Sequence, residues 1–141
     1  MNKKELMRYF INKLNKNKLI TVFIKNIFDY ENFYDYNYLF RIKEDGNTII
    51  IDIYDNISDN RFNRYIFSFD NGEYDIKIYE ECNVFVSYII INKIKNPNNK
   101  LLKFAYLFQL DKDEMLEYAK SFLDNDIILV LEKILKKPIF Q

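Results

Sequence analysis

The sequence predicts an α+β fold. It is a largely antiparallel sheet of about six strands, built as three successive hairpins, with one or two amino-terminal helices and two carboxy-terminal helices packed on one face. Three observations carry this reading. Two Asx-Gly dipeptides, Asp45-Gly46 and Asn71-Gly72, sit between segments of alternating polarity. Side chains sort by face when those dipeptides are used as two-residue turns. Apolar stripes at helical spacing bracket the strand-rich middle. No internal repeat or linker interrupts the chain, so residues 1–141 read as one α+β domain.

The first helix begins at Asn2, with Glu5 three residues on as in a capping box. Leu6, Phe10 and Leu14 form its stripe, with Met7 and Ile11 beside it. Residues 19–28 place Ile20, Phe23, Ile24, Ile27 and Phe28 on a helical face, although Ile-Thr-Val-Phe-Ile reads equally as a strand. With Asp45-Gly46 as the loop, Ile42 opposes Ile49, Phe40 opposes Ile51 and Tyr38 opposes Ile53. With Asn71-Gly72 as the loop, Phe69 opposes Tyr74, Phe67 opposes Ile76 and Tyr65 opposes Ile78. A one-residue slip would scramble both sortings.

A third hairpin is expected from Val84–Ile94 and Leu101–Leu110, joined around Asn96-Pro97-Asn98-Asn99, with both strand faces apolar. Asp111 with Glu114 predicts a second capping box, opening a helix whose stripe is Met115, Leu116, Ala119, Phe122 and Leu123. A last helix over roughly 126–136 carries Ile127, Val130, Leu131, Ile134 and Leu135, and Pro138 follows it.

Composition narrows the chemistry. The 141 residues contain no histidine, one cysteine (Cys82) and two glycines. Without histidine the usual general acid–base and metal-ligating side chain is missing, and a thiolate nucleophile lacks its customary partner. One cysteine excludes an internal disulfide and a multi-thiolate metal site. Both glycines are taken by turns, which leaves none to cradle phosphate. No cofactor is expected. The 21 Ile and 18 Asn against two Ala match the codons of an AT-rich genome, so much of the aromatic content follows nucleotide supply. Arg8, Asn12 and Lys13 interrupt any secretory apolar region near the start, and no apolar run approaches the ~18 residues of a membrane span. Cytoplasmic residence with no membrane partner is the expectation.

Two acidic groupings read as structure. Asp55-Asn56-Ile57-Ser58-Asp59-Asn60 lacks the glycine and terminal glutamate of a calcium loop, and Asp111-Lys112-Asp113-Glu114 suits a helix start. Asp52 with Asp75-Ile76-Lys77 resembles the D…(D/E)xK arrangement of restriction-type nucleases, where two carboxylates hold Mg²⁺ and the lysine assists the attacking water. These are common residue types among 42 charges, and such nucleases usually sit beside a parallel strand pair that these hairpins do not suggest, so solvated sheet-face charges are the preferred reading.

The charge layout says more. The net charge is zero, yet residues 1–28 hold seven bases and one acid, residues 29–82 five bases and thirteen acids, and residues 83–141 nine bases and seven acids. The acidic third covers both hairpins. Asp29, Glu31, Asp35, Asp70, Glu73, Asp75, Glu80 and Glu81 are interspersed there with tyrosines, Tyr34 and Tyr36 among them. Carboxylates beside tyrosines suit a basic protein partner, because charge steers association and tyrosine supplies contact area at low entropic cost. Lys3, Lys4, Arg8 and Lys13 offer a strip for nucleic acid, but balanced charge and only four arginines weigh against that partner.

The expectation is therefore a non-enzymatic binding protein that neutralises a basic partner such as a nuclease, toxin or nucleic-acid-guided effector. Small, glycine-poor, motif-free chains of AT-rich codon style are often immunity or anti-defence inhibitors of phages and mobile elements, an analogy of style. Two alternatives stand beside it. One is a Mg²⁺-dependent nuclease using Asp52, Asp75 and Lys77. The other is a small secretion-chaperone-like or scaffold homodimer that associates through the apolar hairpin near residues 84–110.

Overall fold

A computed structural model describes residues 2–28, 38–55, 61–70, 72–80 and 84–137. The fold is α+β, with five helices and one antiparallel five-stranded sheet among these residues. Two compact units are distinguishable along the chain. One takes in Met1–Tyr30 and Lys95–Gln141, the other Glu31–Ile94.

The first unit is helical: α1 (Lys3–Lys16), α2 (Ile20–Phe28), α3 (Lys100–Leu107), α4 (Lys112–Lys120) and α5 (Asn125–Leu135). α1 packs on α2 and α5, α3 on α2 and α4, and α4 on α5. The side chain of Asn2 caps α1, its oxygen accepting from the Glu5 N–H at 2.8 Å. The other end closes as a Schellman turn. The Leu19 N–H donates to the Leu14 carbonyl at 2.8 Å and the Lys18 N–H to the Asn15 carbonyl at 3.1 Å. Lys18 takes the left-handed conformation there, at φ 61, a post usually held by glycine. Residues 20–28 are helical, and Ile20, Phe23, Ile24, Ile27 and Phe28 are all buried, as the stripe predicts.

The segment 101–110 differs from expectation. It is helix α3 and its C-terminal turn, not a strand. An apolar run has no strong period, so local capping and packing decide it. The Asn99 side chain accepts from the Leu102 N–H at 2.8 Å, which starts the helix. Helical spacing then brings Phe104 and Phe108 together at 5.1 Å between ring centroids. Phe10 and Phe23 join them, with Phe23–Phe104 at 4.8 Å edge-on and Phe10–Phe23 at 5.8 Å. All four rings are fully buried and form the centre of the helical core. The Asp111 side chain makes no cap bond on α4. Its carbonyl instead receives the N–H groups of Glu114 at 3.0 Å and Met115 at 2.9 Å.

The second unit is a simple meander of β1 (Tyr38–Asp45), β2 (Thr48–Asp55), β3 (Arg61–Asp70), β4 (Glu73–Glu80) and β5 (Val84–Ile90), in that spatial order. A 3₁₀ turn over Ile91–Lys93 follows β5. Among the described residues the sheet thus has five strands instead of about six, because only the first strand of the expected third hairpin forms.

The β3–β4 register is the expected one, with Phe69 opposite Tyr74, Phe67 opposite Ile76 and Tyr65 opposite Ile78. The β1–β2 register is displaced by two residues. Ile42 opposes Ile51 and Phe40 opposes Ile53, and the loop is Gly46-Asn47. Gly46 sits first in that loop at φ +58, as a type II′ turn requires, and the Thr48 hydroxyl ties it by donating to the Asp45 carbonyl at 2.7 Å. A two-residue shift returns every side chain to the same face, so polarity alone cannot detect it. One face buries Ile49, Ile51, Ile53, Tyr65, Phe67, Tyr74 and Ile76. The other carries Arg41, Lys43, Asp52, Arg64, Ser68, Asp70, Glu73, Asp75 and Lys77.

Candidate functional site

In a meander, the first and third turns lie at the same end of the sheet. Thr48 pairs with Ser68, which sets the β1–β2 and β3–β4 tips side by side, about two strand spacings or ~10 Å apart. Asn47 joins them. Its carbonyl accepts from the Phe69 N–H at 3.0 Å, and its amide donates to Asp70 Oδ1 at 3.1 Å. The two tips together present Asp45, Asp70 and Glu73 on one face, with Glu44 at the same end but on the face of Ile49, all exposed. Asn92 braces the second tip from the far side, donating to the Gly72 carbonyl at 2.9 Å and accepting from the Tyr74 N–H at 3.4 Å.

Just inward, Asp75 is 7% exposed. Tyr88 on β5 lies over it, its hydroxyl donating to Glu73 Oε1 at 2.9 Å and reaching Asp75 Oδ2 at 3.5 Å. Asp75 Oδ1 is buried with no hydrogen-bond partner among the described residues. Burial pushes the Asp75 carboxyl up. Lys77 pulls it back, while Glu73 and Asp70 add to the rise. The Tyr88 phenol is pushed up to about 12, first by its bond to Glu73, then by burial and the Asp75 charge. Lys77 Nζ stands 5.8 Å from the Tyr88 ring centre.

Of the residues expected to contact a partner, Asp70, Glu73 and Asp75 therefore come together, with Asp75 beneath the surface that Glu73 and Tyr88 form. Glu80 does not join them. It ends β4 seven residues from Glu73, roughly 23 Å away, and its register puts it on the face of Ile76 and Ile78. Asp29, Glu31, Tyr34, Asp35, Tyr36 and Glu81 lie outside the described residues. Sequence reasoning missed Asp45, Asn47 and Tyr88 as members of the surface. The meander order was the signal for the first two, since it dictates which tips are neighbours.

The nuclease constellation is not assembled. Asp52 is fully buried and holds Arg64 in a two-pronged bond, Nε to Oδ1 at 2.7 Å and Nη2 to Oδ2 at 2.9 Å. Lys43 Nζ stands 3.9 Å from the same carboxylate. Asp52 pairs with Arg64, and Arg64 with Tyr79, so Asp75 lies two strands across and four residues along, roughly 16 Å away. Carboxylates that share a Mg²⁺ each sit about 2 Å from it. Among the described residues no group of three or more His, Cys, Asp or Glu could hold a metal ion.

No helix among the described residues is long and apolar enough to cross a membrane. Compared with known proteins, the chain matches no family, no curated protein and no solved structure.

Proposed function

We propose that this chain is a binding protein that neutralises a basic protein partner through the paired acidic hairpin tips. In this reading it acts in the cytoplasm as an inhibitor of immunity or anti-defence type, without catalysis of its own or a cofactor. The observation that supports it is the bond network of Asn47, which holds Asp70 and its own tip at one end of the sheet. Asp45 and Glu73 stand at least three strand spacings, ~14 Å, apart with Asp70 between them. Each carboxylate thus has a neighbour within roughly one Debye length, and their fields add along the row. Such a cluster steers a cationic surface into place and penalises acidic competitors. A partner that normally grips a nucleic-acid backbone offers the complementary charge, and the tips would occupy that groove.

Affinity capture from the host, followed by titration of the purified captured protein at increasing salt, tests this. A basic partner whose affinity falls about tenfold or more from low to physiological salt is the expected result. Binding indifferent to salt, or a captured partner of acidic character, overturns the proposal.

A further inference from the structure

A cavity of about 490 Å³ lies in the helical unit, between the C-terminal end of α1 and one face of α5. That volume falls in the range of small-molecule sites. Along α5 the lining residues recur at the i, i+3, i+4 spacing of a single helical face, from Asp126 to Lys133 and on to Lys137 just past the helix end. Leu19, Leu129, Val130 and Ile134 supply an apolar wall, and Leu129 is 53% exposed.

The charge in the lining is one-sided. Lys13, Lys133 and Lys137 bring three ammonium groups to it. Among the described residues, no carboxylate stands within ion-pair distance of any of the three. Asp126 also lines the cavity, but two helical turns from Lys133, ~10 Å along the axis. Glu132, beside Lys133 in the chain, is held instead by Lys136 at 2.8 Å. Lys13 and Lys137 are half-buried and converge on Tyr9 in spite of their mutual repulsion. Lys137 Nζ donates to the phenol oxygen, and Lys13 Nζ stands 5.5 Å from the ring centre. The bond from Lys137 chiefly lowers the Tyr9 phenol pKa; burial opposes it, and the charges of Lys13 and Lys137 add to the fall. A neutral phenol is a weak partner for two ammonium groups, and an anion is a strong one.

We propose that this cavity binds a phosphate monoester with an aliphatic body, its phosphate held by Lys13, Lys133 and Lys137 and its chain laid against Leu19, Leu129 and Val130. Three bases against one acid leave a surplus of two positive charges in the lining. A phosphate monoester carries about −1.5 to −2 at neutral pH, which matches it. No aromatic ring lines the cavity among the described residues, so an aliphatic chain suits it better than a nucleobase, which binds by stacking. The site lies wholly in the helical unit and uses none of the tip residues, so it stands independently of the function proposed above.

Calorimetric titration of the whole chain with octyl phosphate tests it, with inorganic phosphate, octanol and octyltrimethylammonium as comparison probes. One saturable site is expected for octyl phosphate. It should be at least about tenfold tighter than for inorganic phosphate, because each buried methylene adds roughly fourfold. The cation should not bind. Lys13→Gln with Lys137→Gln should weaken octyl phosphate at least about tenfold, as should Leu129→Asp, while Lys103→Gln on α3 leaves it unchanged. Should the double variant fold poorly, the unaltered protein gives a second reading. Phosphate that draws Lys137 off Tyr9 raises the earliest-titrating phenol when octyl phosphate is added, and octanol does not. Absence of saturable binding overturns the proposal, as does an affinity for inorganic phosphate or octanol equal to that for octyl phosphate. So does binding indifferent to both lysines, or uptake by phosphatidic acid vesicles without binding of the soluble ester, which would assign these lysines to a lipid surface.

Discussion

Arg64 and Asp52 face each other across β2 and β3, and the guanidinium grips the fully buried carboxylate through both of its oxygens. The hydrogen bond and the Asp52 charge raise the arginine's already high pKa, outweighing the opposing effect of burial. Arg41, meanwhile, stacks its guanidinium 4.3 Å from the Tyr54 ring centre. The same sheet face thus has a basic, internally neutralised region around Asp52 and an acidic region at the tips.

Removing Arg64 strands a buried charge, which costs more than the pair contributes when intact. Arg64→Ala is expected to lower stability by about 3 kcal/mol. Combining it with Asp52→Leu should recover much of that loss. Urea unfolding midpoints at constant slope would check both values.

Asp75 gives a pH signature. Its carboxyl is raised in the fold, so protonation favours the folded state, and the favourable contribution fades as pH rises through the folded pKa. At neutral pH the buried carboxylate is a cost. Asp75→Asn should therefore stabilise the protein there by about 1 kcal/mol, with the gain vanishing on the acid side of the ordinary carboxyl range. Thermal melts across that range would show the two curves converging at low pH.

Lys18 occupies a left-handed helix cap that glycine enters without a Cβ penalty. Lys18→Gly should stabilise the protein by about 1 kcal/mol, despite glycine's greater freedom in the unfolded chain. Chemical denaturation would reveal a shifted midpoint with unchanged slope. A loss of stability would show that the lysine side chain matters more than its backbone strain.

Tyrosine titration reads the tip network and the helical unit separately. Tyr9 accepts a hydrogen bond from Lys137, which chiefly lowers its phenol pKa, while Tyr88 is raised by Glu73. Phenolate absorbance should lose its earliest-titrating component in Tyr9→Phe. In Glu73→Gln, the Tyr88 component should move down toward the ordinary phenol value.

The parts of the fold legible in the sequence are those where turn chemistry and polarity agree. Asn71-Gly72 placed the loop, and the alternation from Tyr65 to Ile78 confirmed the β3–β4 register. In the first hairpin Gly46 serves as the first loop residue, and the two registers that differ by two residues sort the side chains equally, so polarity does not distinguish them. The helix holding Phe104 and Phe108 is not legible from polarity, because its apolar residues cover more than one face. The Asn99 cap was the available sign. The Asp52–Arg64 pair is beyond the reach of the sequence, since no Asx-Gly dipeptide lies between β2 and β3 to fix their register.

Charge reversal at the tips is the most direct test of the account. With the captured basic partner in hand, Asp45→Lys, Asp70→Lys and Glu73→Lys are combined in one chain whose fold is verified by circular dichroism. The account predicts roughly a hundredfold loss of affinity and a flattened salt dependence. Affinity and salt dependence equal to those of the unaltered protein would contradict it.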